Sequence, residues 1–94
     1  LNVSREQAIS IAAKNGVRAD NVTLDLVASN TTNHPIWFLQ PVWFVYQFPP
    51  GWPEKGICIS QPINALNGET NFTLETSAFL QYDYKQKEIL CGKQ

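Results

Sequence analysis

The chain predicts an α+β fold, with one N-terminal helix packed on a mostly antiparallel β-sheet. Three observations carry this. A capping box opens a single helical pattern near the N-terminus. Every later apolar segment alternates with period two or is too short for a helix. Turn signals rich in Pro, Gly and Asn separate those segments, an order that suits helix-on-sheet packing. The 94 residues fit one domain spanning 1–94.

The helix is expected from Ser4 to Asn15. Ser4-Arg5-Glu6-Gln7 matches S-x-x-E/Q, with Ser4 as N-cap and Gln7 reaching back. Ile9, Ala12, Ala13 and Gly16 share one helical face, and Gly16 suits the residue after the cap. Asn21 to Ser29 reads as a strand. Val22, Leu24, Leu26 and Ala28 point one way, and Thr23, Asp25 and Val27 the other. Ile36 to Leu39 is a short strand or an extended approach, and Pro41 is expected to interrupt it. Val42 to Phe48 is the most apolar strand. Trp43, Val45 and Gln47 lie on one face, Phe44, Tyr46 and Phe48 on the other. Neither face is polar, so this strand is expected to be central and covered on both sides.

Pro49 to Gly56 is a loop whose three prolines exclude helix and ladder pairing. Ile57 to Ala65 is the next strand. It carries Cys58, and Pro62 marks it as an edge or a bulge. Asn67-Gly68 signals a tight turn, after which Thr70 to Glu75 is expected to pair back. Phe79 to Tyr84 is a further apolar segment, and Glu88 to Cys91 a final short strand. Residues 71–94 read as a C-terminal extension.

Four Asn-X-Ser/Thr sequons begin at Asn2, Asn21, Asn30 and Asn71, none with Pro in the middle. That exceeds what eight Asn and 11 Ser and Thr produce by chance in this length. They point to N-glycosylation, hence to an extracellular or cell-surface protein. All four fall outside the interior of the helix and outside the central strand, as acceptors must. Charged residues are only 16% of the chain, and bulky polar glycans would supply solubility. In such a compartment Cys58 and Cys91 are expected to form one disulfide, tying the extension back. Closing that loop would stabilise the fold by roughly 3–4 kcal/mol.

Net charge is −1 with no basic stripe, which argues against nucleic acid and a polybasic membrane patch. No apolar run reaches the roughly 18 residues of a membrane helix. The chain begins at Leu1 without a signal peptide and reads as a processed or trimmed product. No catalytic set stands out. His34 is the single His and sits in a turn context, no Gly-x-Ser-x-Gly elbow or phosphate loop occurs, and the carboxylates are scattered. No metal site or cofactor is expected. The aromatics make 12% of the chain, and core packing accounts for most of them. Trp37 and Trp52 lie beside prolines in expected loops, so an exposed platform for a protein partner or a sugar is the competing reading. Sheet edges offer a third route to a partner.

Some of these residues resemble the PepSY domain family. Ser4 to Ala12 is similar to its opening helix, an acidic cap followed by Ala-Ile-x-x-Ala. Val42 to Tyr46 resembles its central strand, and Ile63 to Thr70 its closing strand and hairpin. The likeness covers roughly residues 4–70. The closing strand departs from it, with Asn64 near the place of the usual Asp. The resemblance implies a small non-catalytic α+β domain of secreted or membrane-attached proteins. Some members form protease propeptides that restrain peptidase activity. The function expected is therefore a non-catalytic, secreted, glycosylated domain acting through protein contacts, including self-assembly into an extracellular structure such as a filament. A protease-restraining domain and a carbohydrate-binding module using Trp37 and Trp52 are the alternatives.

Overall fold

The protein's ten-residue helix α1 (Arg5–Lys14) lies across one face of an antiparallel sheet built from β1 (Asn21–Asn30), β2 (Phe38–Gln47) and β3 (Ile59–Asn64). The computed structural model describes residues 2–30, 38–70 and 73–74. A two-residue strand, β4 (Thr73–Leu74), extends the order to β3-β2-β1-β4. The α+β architecture read from the sequence is the one observed.

Local chemistry sets both ends of α1. Gln7 N–H donates to Ser4 Oγ at 3.1 Å, and Ser4 N–H donates to Gln7 Oε1 at 2.7 Å, which satisfies two N-terminal donors. At the other end Gly16 takes φ 82°. Gly16 N–H then donates to Ala13 O at 3.0 Å, and Val17 N–H to Ala12 O at 2.9 Å. This is the Schellman arrangement, and it also turns Val17 into the core beside Ala12.

The buried stripe of α1 differs from the expected one. Ala8 and Ala12 are fully buried with Ile11 packed beside them, while Ala13 and Gly16 are exposed. The stretch Ala8 to Ala13 is apolar nearly all round, so spacing alone leaves the rotation open. The preceding chain supplies a constraint. Asn2 and Val3 N–H both donate to Ala65 O, at 3.2 and 3.0 Å, and the Trp43 indole N–H donates to Val3 O at 2.8 Å.

β2 runs through Pro41 as one strand of ten residues, where two segments were expected. Its register pairs Leu26 with Pro41 and Ala28 with Leu39. Pro41 is tolerated because its neighbour has other donors. Pro41 O accepts from Ala65 N–H at 2.9 Å, and Ala65 O, which a Pro41 N–H would have served, takes Asn2 and Val3 instead. Among the described residues β3 is a sheet edge, one of the two roles Pro62 suggests, and it begins at Ile59, so Cys58 lies just before it.

The segment after Gly68 departs furthest from expectation. Gly68 does turn, at φ 79°, but Gly68 N–H closes on Asn64 O and Asn64 N–H donates to Glu69 O, both at 2.8 Å. β4 then pairs with Ser29 and Asn30 of β1 rather than back on β3. The expected segments Phe79 to Tyr84 and Glu88 to Cys91 lie outside the described residues.

Both faces of β2 are buried. On the helix side Val45 and Ile63 join Val3, Ala8, Ala12 and Val17, with Val22 and Trp43 at the margin. On the other side Val42, Phe44, Tyr46 and Cys58 cluster, flanked by Val27, Phe48 and Trp52.

Candidate interaction surface

A length mismatch shapes the helix-side face. Ten helical residues span about 15 Å, whereas ten strand residues span about 33 Å. α1 therefore covers only part of β1 and β2. Beyond it the same alternation that fills the core continues, uncovered among the described residues. The cross-strand pairs there are Leu24 with Trp43, Leu26 with Pro41, and Ala28 with Leu39. Leu26 is 69% exposed, Leu39 68% and Leu24 41%. No ionisable side chain belongs to this strip. Asp25 has the opposite parity and points to the other face. Sequence reading places Leu24, Leu26 and Ala28 on one face but neither pairs them with Leu39 and Pro41 nor foresees their exposure. The available signal was the length of the alternating run against the length of the helix.

On the second face the Pro-rich loop folds back as a cover. Trp52 stacks on Phe48 at 5.8 Å with planes 4° apart, and both pack against the Val42–Phe44–Tyr46–Cys58 cluster. Phe44 stacks on Tyr46 at 6.3 Å. Trp52 is half-buried, its N–H donates to Pro49 O at 3.1 Å, and its indole Nε1 is buried with no hydrogen-bond partner among the described residues. Its ring is thus committed to intramolecular packing. Trp37, the other residue of the expected platform, lies outside the described residues. Cys58 is buried and carries no free thiol. Its expected partner Cys91 lies outside the described residues.

Polar contacts fasten the two ends of the sheet. At one, Arg18 Nε and Nη2 bind the Asp20 carboxylate at 2.9 and 2.7 Å, and Arg18 Nη2 also donates to Phe48 O at 3.0 Å. Phe48 N–H donates to Asp20 Oδ2 at 2.8 Å, and Asp20 N–H to Tyr46 O at 2.8 Å. The Arg18 hydrogen bond, with that from Phe48 N–H, holds the Asp20 carboxyl down to about 2. At the other end buried Asn64 donates to Gln40 Oε1 at 2.5 Å and accepts from Leu66 N–H at 2.8 Å. Burial pushes the Tyr46 phenol up to about 12, against a contact with Thr23 Oγ1 at 3.4 Å.

Three sequon asparagines fall within the described residues. Asn2 is exposed, Asn21 is the first residue of β1 and half-buried, and Asn30 is the last residue of β1. Asn71 lies outside the described residues. None of the three sits inside α1 or on β2. Asn21 and Asn30 stand at the two ends of β1, whose outer edge meets β4 only at Ser29 and Asn30 among the described residues.

Among the described residues no group of three or more His, Cys, Asp or Glu is placed to hold a metal ion, and no helix is long and apolar enough to cross a membrane. His34 lies outside the described residues. Compared with protein-family models, curated proteins and solved structures, the chain matches none.

Proposed function

We propose that this chain is a secreted, N-glycosylated, non-catalytic domain of PepSY-like architecture that acts through protein contacts as a subunit of an extracellular assembly. The single observation that carries this is the uncharged strip of Leu24, Leu26, Ala28, Leu39 and Pro41 beyond the end of α1. Apolar side chains aligned on adjacent strands at this exposure mark contact surfaces. The sequons and low charge support an exposed, glycan-solubilised setting.

The other routes to a partner are weaker. The Trp52 ring lies against Phe48 and the second cluster, which disfavours a sugar-stacking platform. β3 carries Pro62, which lacks a donor for strand addition. β1 carries Asp25 and a sequon at each end, features that blunt an edge.

Electron microscopy of the native secreted material tests the proposal. Fibres or regular oligomers containing this chain are expected. A dispersed monomer at native abundance would refute it. Intact mass before and after deglycosylation should show a loss of whole glycan units, and an unmodified mass would remove the extracellular reading.

A further inference from the structure

Two Asn-Gly pairs occur in the chain, Asn15-Gly16 and Asn67-Gly68. As dipeptides they are identical, and the fold places them in different settings. We propose that the native protein deamidates spontaneously at Asn15, while the turn after β3 holds Asn67 inert.

The chemistry is intramolecular and needs only water. The Gly backbone nitrogen gives up its proton and attacks Cγ of the preceding Asn. The new N–C bond closes a succinimide ring, the bond from Cγ to the amide nitrogen breaks, and ammonia leaves with the proton. Water then opens either ring carbonyl. One opening leaves Asp, and the other leaves isoaspartate, in which the chain runs through the former side-chain carbonyl. The sum is Asn plus water giving an acid plus ammonia, with no redox change. Gly favours the step because no side chain shields its nitrogen. What the fold must supply is a released Gly N–H, a side-chain amide free to turn, and room to bring the two together.

Asn67 lacks all three. Its Oδ1 accepts from Glu69 N–H at 2.9 Å, which holds the amide toward Glu69. Gly68 N–H donates to Asn64 O at 2.8 Å, and Asn64 N–H donates to Glu69 O at 2.8 Å. Asn64 is buried and also accepts from Leu66 N–H at 2.8 Å. The turn lies against α1 and the segment before it, where a methyl group at Gly68 would meet Ile11 Cδ1 at 3.4 Å and Val3 Cγ2 at 3.8 Å. Freeing the Gly68 nitrogen therefore means opening the whole turn.

Asn15 meets far less resistance. It is exposed, and its side chain has no hydrogen bond among the described residues. A methyl group at Gly16 would meet no atom beyond its chain neighbours within 4 Å. The nucleophile is held by one bond, Gly16 N–H to Ala13 O at 3.0 Å. That bond closes the last turn of α1, where helices fray at small cost. Asn15 has ψ 10°, so the attack also needs a backbone rotation, which fraying supplies. The additional bonds around Asn67 amount to about tenfold or more in rate.

The product bears on the core. A carboxylate at position 15 stands at the negative end of the helix dipole. Isoaspartate adds a backbone atom just before Gly16 and Val17, whose N–H groups close the helix and carry Val17 in beside Ala12. Conversion would loosen the junction between α1 and β1.

Peptide mapping by mass spectrometry tests this on the intact glycosylated protein, incubated at mildly alkaline pH with and without denaturing urea. Neither pair lies in a sequon, so conversion there is distinct from that left by enzymatic glycan removal. In the folded protein Asn15 should convert faster than Asn67, by about tenfold or more, with isoaspartate appearing beside Asp. In urea Asn67 should accelerate and the two rates draw together. Conversion of Asn67 at or above the Asn15 rate in the folded protein, or of neither pair, would overturn the proposal. A rate ratio that urea leaves unchanged would also overturn it, since the flanking residues rather than the fold would then set it.

Discussion

Two tryptophans in this chain should respond oppositely to the same substitution. Trp43→Phe removes an indole N–H that donates to Val3 O at 2.8 Å. Trp52→Phe removes an indole N–H that is buried without a partner among the described residues. Each change loses a comparable share of ring contact, roughly 1 kcal/mol at about 25 cal/mol per Å². The polar terms differ in sign. At Trp43 the bond is lost and the Val3 carbonyl is left unserved, a cost of about 1–3 kcal/mol. At Trp52 an unsatisfied donor is relieved, a gain of about 1–3 kcal/mol that offsets the lost contact. Phe at 52 also retains the stack on Phe48. The difference between the variants is then about 2–6 kcal/mol. For a domain of this size each kcal/mol moves the midpoint by about 4–8 °C. Circular dichroism melts of the two variants in one glycoform should therefore separate by at least about 8 °C, with Trp52→Phe at or above wild type. Midpoints within about 3 °C of each other, or the reverse order, would show that the two indoles are not in these hydrogen-bonding states.

Acid stability should depend on Asp20. Its folded pKa of about 2 lies below the ordinary 3.8, so its contribution is present above pH 3.8 and disappears as pH falls toward 2. Asp20→Asn should flatten the urea midpoint against pH across that window, by a modest amount because the pair is solvent-exposed. An unchanged slope would count against the Arg18–Asp20–Phe48 clamp. Tyr46 acts at the alkaline end. Its folded pKa of about 12 exceeds the usual 10.0, so its contribution holds below pH 10 and is lost as pH rises through 12. Tyr46→Phe should weaken that loss, and a curve superimposable on wild type would refute the burial argument. Ser4→Ala should cost about 0.5–2 kcal/mol by removing the N-cap acceptor, measured by urea titration, and a neutral result would mean that the Gln7 N–H finds water instead.

What the sequence made legible was local. The capping box and Gly16 act within one helical turn of their partners, so Ser4, Gln7 and Gly16 could be placed from sequence alone. The alternation of β2 told which residues share a face, and Trp43 and Val45 do lie opposite Phe44 and Tyr46. What failed was non-local. Pro41 reads as a break in sequence, yet whether its missing donor matters depends on Ala65, whose carbonyl is served by the N-terminal segment. Asn67-Gly68 encodes a turn, but not which strand the following residues choose. The orientation of Trp52 depended on Phe48 being placed to receive it, which no local pattern records.

The open strip has the same origin. Each element is consistent with its own sequence, and the exposure arises only when their lengths are compared. Lengthening α1 would cover it only if the helix continued past its N-cap, where Val3 and Asn2 are already bonded to Ala65 and Trp43. The contacts that fix the helix on one part of the sheet are thus the ones that stop it from covering the next. An apolar face kept open by such a stop is not a defect of packing that one substitution in α1 could repair. It is set by the path of the chain into the fold, which leaves Leu24, Leu26 and Leu39 uncovered among the described residues.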